Sequence, residues 1–147
     1  LRNTIEVRPI GVIRTPYGSR EQAPEQGFFD EKVSRIEIRE EFLRGLEGIR
    51  EGDILDVVYW MDRADRNNLW NERRKKGIFA TRGPDRPNPL GICPVIVSRI
   101  SGKALEVLYC DALDGSPVID IRHSLMEDIE KLAGRSRGAK RDAPDGL

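Results

Sequence analysis

"GICPVIVSRISGKALEVLYCDAL", residues 91–113, decides the fold. Two alternating apolar runs flank Ser101-Gly102, a pair suited to a tight hairpin turn, so the stretch reads as two antiparallel strands. Outward from it, "IEVRPIGVIRT" (Ile5, Val7, Ile10, Val12), "VSRIEIR" and "DILDVVYWM" repeat the two-residue period, and "GIFAT" and "SPVIDIR" add two more strands. A second tight turn is expected at Asp114-Gly115. Helical spacing occurs only in "EEFLRGLEGIREGD", closed by Gly45 or Gly48, and in "SLMEDIEKLAG", where Ser124 is the candidate cap. The chain is therefore expected to be mainly β, a single small β-barrel of about seven strands with one or two short helices. Residues 1–133 form that domain, and 134–147, rich in Arg, Gly, Ala, Pro and Asp, read as a loose basic tail.

A chain of 147 residues builds one core and one principal site. Its 25 basic and 25 acidic residues cancel, which argues against a simple polycation, but they are unevenly placed. Residues 21–56 hold eleven acids against five bases, whereas 63–86 hold eight bases against Asp65, Glu72 and Asp85. Cys93 and Cys110 stand apart without a C-x-x-C pair, so neither a zinc site nor a disulfide framework is indicated. Reduced buried thiols and a cytoplasmic location are expected. The longest apolar run, "ILDVVYWM", is too short to span a bilayer, and no signal pattern opens the chain.

Four stretches carry candidate chemistry. In "GIFATRGPDRPNPLG" (77–91), Pro84, Pro87 and Pro89 order the loop in advance, while Arg82 and Arg86 offer planar forks for a carboxylate or phosphate. A tight surface connection with solvated arginines is the alternative. In "DALDGSPVIDI", Asp111, Asp114 and Asp120 surround a turn whose carboxylates could hold ribose hydroxyls or accept a proton, although Asp-Gly also suits an ordinary hairpin. "YGSREQAPEQGFF" is a polar loop whose Gln22 and Gln26 could pair with a base edge or face water. "WMDRADRNNLWNERRKKG" combines basic residues with Trp60 and Trp70, a pattern that fits unpaired RNA or a solvated loop. No Rossmann, P-loop or G-x-S-x-G pattern is present, and the sole histidine, His123, has no metal-ligand partner.

Taken in order, "PIGVIRTPY", "APEQG", "LEGI", "GIFATRGPDRPNPLG" and "LDGSPVIDI" resemble the tRNA N6-threonylcarbamoyladenosine methyltransferase family, also called TsaA-like or TrmO. The resemblance covers most of residues 8–122. It implies a small β-barrel binding S-adenosylmethionine in a pocket completed by a second subunit, and methyl transfer to N6 of threonylcarbamoyladenosine beside the anticodon of threonine tRNA. The cofactor contacts it implies are Gln26, Asp62, Arg82 and the turn Asp114, Gly115, Ser116, Pro117 and Val118. Asp62 stands where family members often have histidine. Arg73, Arg74, Lys75 and Lys76 would meet tRNA, with Arg86 and Asn88 either ordering the loop or facing the acceptor. Asp114 or Asp120 would take a proton or orient the substrate, with no metal required. A non-catalytic RNA-binding module and a methyltransferase of a small molecule are the competing readings.

Overall fold

A computed structural model describes residues 3–21, 23 and 32–142. The strands are β1 (Gly11–Arg14), β2 (Ser34–Ile38), β3 (Ile54–Trp60), β4 (Trp70–Asn71), β5 (Lys76–Gly77), β6 (Leu90–Ser101), β7 (Ala104–Leu108) and β8 (Pro117–His123). Two 3-10 turns, Glu40–Leu46 and Ile78–Ala80, and one helix, α1 (Met126–Asp142), complete the described elements. The chain is mainly β. Six strands hydrogen-bond antiparallel in the order β1-β2-β7-β6-β3-β8, and β8 returns to β1, making a closed barrel, while β4 and β5 form a separate ribbon.

The two-residue period explains what the sheet encloses. In β3, Leu55, Val57 and Tyr59 point inward, opposite Val95, Cys93 and Gly91 of β6. Ile13, Ile36, Leu105, Val107 and Val118 complete a core from which water is excluded. The β6–β7 hairpin turns at Gly102-Lys103, with Gly102 at φ 55°. The register shifts at Val58/Tyr59 and at Val97/Arg99, irregularities of the kind that bend and twist a sheet.

Several elements depart from the expected reading. The first strand begins at Gly11, and Ile13 rather than Val12 is buried, because Ile5 and Val7 before Pro9 are exposed and outside any ladder. "GIFAT" forms a 3-10 turn, since adjacent Ile78 and Phe79 cannot share one strand face, and only Ile78 is buried. β7 and β8 are not neighbours, so Asp114-Gly115 is not a hairpin turn joining them. The expected loose tail is helical as far as Asp142. Gly134 and Gly138 each cost about 1 kcal/mol relative to Ala, but Arg135, Arg137, Ala139, Lys140 and Arg141 are good helix formers. Acidic Glu127 and Asp128 suit its first turn, and the Ser124 hydroxyl accepts from the Met126 amide at 3.2 Å.

Candidate functional site

An open cleft of about 1420 Å³ lies across the outer face of β6, walled by the loop 81–89, the connection 109–116 and the start of α1. Outward Leu90 and Ile92 of β6, and Leu125, Met126 and Ile129 beside α1, give it an apolar side. Asp62, Arg73, Arg74, Arg82, Arg86, Asp114, Gly115 and Ser116 all reach it from separate parts of the chain.

The loop 81–89 is ordered by more than its prolines. Arg86 Nε donates to Gly83 O at 2.8 Å, and Nη2 donates to Ile78 O at 3.0 Å and Thr81 O at 2.7 Å. It thus ties two carbonyls of its own loop to one of the preceding 3-10 turn, an ordering role. Arg66 Nε donates to Pro87 O at 2.8 Å and Nη2 to Asn88 Oδ1 at 3.4 Å, so Asn88 is engaged within the protein. Arg82 is exposed and donates one bond, from Nη2 to Ile92 O at 2.9 Å.

Asp85 pins this loop to the chain around residue 20. Arg20 reaches its two oxygens at 2.9 and 3.3 Å, and the Asp65 amide donates to it at 2.8 Å. The Arg20 hydrogen bond holds the Asp85 carboxyl below its usual value, and the same bond raises Arg20. With the folded value depressed, this stabilisation is present above the unfolded carboxyl pKa of about 3.9 and is lost as pH falls through the depressed value. Asp85→Asn is expected to lower the melting temperature by about 2–4 °C at pH 7, the scale of an exposed ion pair. Melting temperatures should converge with wild type as pH falls through that depressed value, and a constant difference at every pH would contradict the pin.

The connection 109–116 is held as tightly. Tyr109 has φ 69°, unusual for a side chain that size, and its carbonyl accepts the Cys93 thiol at 3.3 Å. The Asp111 amide then donates to Cys93 Sγ at 3.4 Å, and the buried Tyr59 hydroxyl donates to Asp111 Oδ1 at 2.9 Å. Burial first, and the Asp111 charge second, push the Tyr59 phenol far above its ordinary range. Further on, the Asp114 amide donates to Tyr17 O at 2.7 Å, and Asp114 Oδ1 accepts from the Thr15 amide at 3.1 Å. Gly115, at φ 83°, donates to Ile13 O at 2.8 Å, and Ser116 Oγ donates to Leu113 O at 2.6 Å. The turn leads into β8 and is bonded to β1 and the residues after it, and its positive φ is why glycine is needed there.

The remaining sequence-derived residues lie elsewhere. Asp120 does not join Asp114: it projects from β8, pairs with Arg122 at 3.4 Å and lines a separate cavity of about 440 Å³ under Phe42 and Leu46. Val118 is fully buried in the core, and neither it nor Pro117 lines the cleft. Lys75, paired with Glu72, Lys76 and Asn88 lie outside the cleft lining, and Gln26 lies outside the described residues. Tyr59, Tyr109 and Cys93 were not legible as site residues. The one signal was apolar Leu90 and Ile92 on the solvent side of a half-buried strand. Among the described residues no group of three or more His, Cys, Asp or Glu could hold a metal ion, and no helix is long and apolar enough to cross a membrane.

Residues 12–127 match the tRNA-methyltransferase O N-terminal domain family. An S-adenosyl-L-methionine-binding protein of Archaeoglobus fulgidus is 43% identical over 120 residues, covering 79% of this chain and 86% of its own. A probable S-adenosyl-L-methionine-binding protein of Methanothermobacter thermautotrophicus is 44% identical over 132 residues, covering 87% and 95%. The crystal structure of TrmO from Pseudomonas aeruginosa superposes with a TM-score of 0.73 at 27% identity over 85% of this chain. The present chain spans 58% of that longer protein.

Proposed function

This chain belongs to the tRNA-methyltransferase O N-terminal domain family, and from that premise we propose that it is an S-adenosylmethionine-dependent methyltransferase acting on tRNA. The acceptor we propose is N6 of threonylcarbamoyladenosine next to the anticodon of threonine tRNA. The observation that carries the reading is the convergence of Asp62, Arg82 and the Asp114–Ser116 turn on one cleft, on two walls fixed by Arg86 and by β1.

The cleft suits the cofactor's mixed chemistry. Leu90 and Ile92 provide an apolar surface for a purine, Arg82 a cation for a carboxylate, and Asp62 and Asp111 acceptors for hydroxyl or ammonium groups. When bound, the sulfonium supplies an electrophilic methyl group. The chain's part is to hold donor and acceptor in line, which is a large share of catalysis in such a displacement. Asp111, fixed by the Tyr59 hydroxyl, and Asp114, fixed by Thr15, orient polar groups at the cleft floor. Exposed Leu125, Met126, Ile129 and Leu132 on and beside α1 support a second subunit closing the open side.

Calorimetric titration with S-adenosylmethionine, with ATP as control, is expected to show saturable binding of the first ligand only. Arg82→Ala should weaken it about tenfold, the loss of one charge-assisted contact. Unchanged affinity in that variant, or no binding by wild type, contradicts the assignment. Nucleoside analysis of treated threonine tRNA then tests the acceptor.

A further inference from the structure

Two exposed aromatic residues, Phe79 and Trp70, stand outside the cleft lining but next to residues that belong to it. Phe79 is 78% exposed on a turn that is anything but loose. Buried Ile78 anchors that turn; its amide donates to Leu69 O at 2.9 Å, and its carbonyl accepts from Thr81 N, Thr81 Oγ1 and Arg86 Nη2. A phenyl ring held in water on so rigid a support adds no burial to the fold, and its fixed position lowers the entropy lost when a flat partner covers it.

Trp70 is in a similar position. It is 49% exposed and pairs in the ribbon with Gly77, which places no side chain opposite the indole. Trp60 differs, because the Arg66 guanidinium already lies 5.1 Å from its ring centroid. Between β4 and β5 the turn holds Arg73, Arg74 and Lys75, with Lys76 opening β5, against one acid, Glu72. Arg73 and Arg74 line the cleft, as do Asn71 and Ala80, the chain neighbours of Trp70 and Phe79.

We propose that Phe79 and Trp70 form a stacking platform for unpaired nucleobases of an RNA loop, with Arg73 to Lys76 meeting the flanking phosphates. This rests on the tRNA reading and specifies which structural feature of the RNA is recognised. Flat apolar rings beside concentrated positive charge match a polyanion with exposed π-faces, whereas a duplex hides those faces. A second copy of this chain meeting this patch about a two-fold axis would set the same positive turn against it and be repelled, whereas a subunit docked on the α1 side would leave it free.

The test is fluorescence anisotropy with a labelled 12-nucleotide single-stranded RNA, the same strand with abasic sites, and its duplex. The proposal expects preference for the intact single strand, and about fivefold weaker binding after Phe79→Leu or Trp70→Leu. Each variant should also lose sensitivity to abasic sites while keeping wild-type affinity for S-adenosylmethionine. Both residues are exposed, and circular dichroism checks that the variants fold. Unchanged RNA affinity in the variants, equal losses on intact and abasic strands, or conversion of a dimer to a monomer in sedimentation would each overturn it. Wild type that binds the cofactor but no RNA overturns the platform and leaves the cofactor reading standing. Base-sensitive RNA binding without cofactor affinity supports the platform and removes the methyltransferase.

Discussion

Arg86→Ala is expected to weaken S-adenosylmethionine binding about 100-fold, equivalent to about 2.7 kcal/mol, more than the loss of Arg82 itself. Arg86 binds three carbonyls, that of Ile78 in the 3-10 turn and those of Thr81 and Gly83 in the loop, and each charge-assisted bond contributes about 1.5–3 kcal/mol. Without it, the Thr81–Gly83 backbone keeps the Thr81 bonds to Ile78 O and the neighbouring prolines but loses the clamp that joins its two ends, and the hold of Arg82 beside Ile92 is weakened. Lysine cannot replace a planar fork with a single ammonium, so Arg86→Lys should remain more than tenfold weaker. Amide exchange across residues 81–86 should rise in both variants, while β3 and β7 keep their protection. Wild-type affinity in Arg86→Ala would mean that the loop is no wall of the cofactor site.

That prediction shows where sequence and structure part. Three prolines around Arg86 announce a rigid loop, because their effect on backbone angles is local. The direction of the guanidinium is not local, since it depends on a 3-10 turn that an apolar "GIFAT" conceals. The β6–β7 hairpin is legible for the same reason as the prolines: alternation and a glycine turn lie within one stretch. A barrel is expected from the run of short strands, but which strands close it is not legible, because β8 must pair with both β1 and β3. Asp114-Gly115 has the local signature of a hairpin, yet its partner is β1, roughly a hundred residues earlier. Asp111 is conspicuous as a carboxylate, but its partner Tyr59 is 52 residues away and alternates like any core residue of β3.

Gly91→Ala tests that hidden pair most severely and is expected to destabilise the protein by about 3 kcal/mol, lowering the melting temperature by about 10 °C. A Cβ at Gly91 would lie 2.3 Å from Tyr59 Cζ and 2.6 and 2.7 Å from Cε1 and Cε2. These distances are far inside van der Waals contact, so the ring must move. It is buried, sits directly opposite Gly91 in the ladder and is tied to Asp111 through its hydroxyl. Tyr59→Phe keeps the ring and loses only that bond to a carboxylate, a cost of about 1.5–3 kcal/mol. It also removes an alkaline signature. Because the Tyr59 phenol is raised in the fold, its contribution is complete below the unfolded value near 10 and declines as pH rises above it, so the phenylalanine variant should show a shallower alkaline decline. The decisive comparison is a double-mutant cycle. Tyr59→Ala alone opens a cavity costing about 3–5 kcal/mol, and Gly91→Ala added to it should cost under about 1 kcal/mol, because the new methyl then enters vacated space. Additive losses would place the clash elsewhere than on the Tyr59 ring.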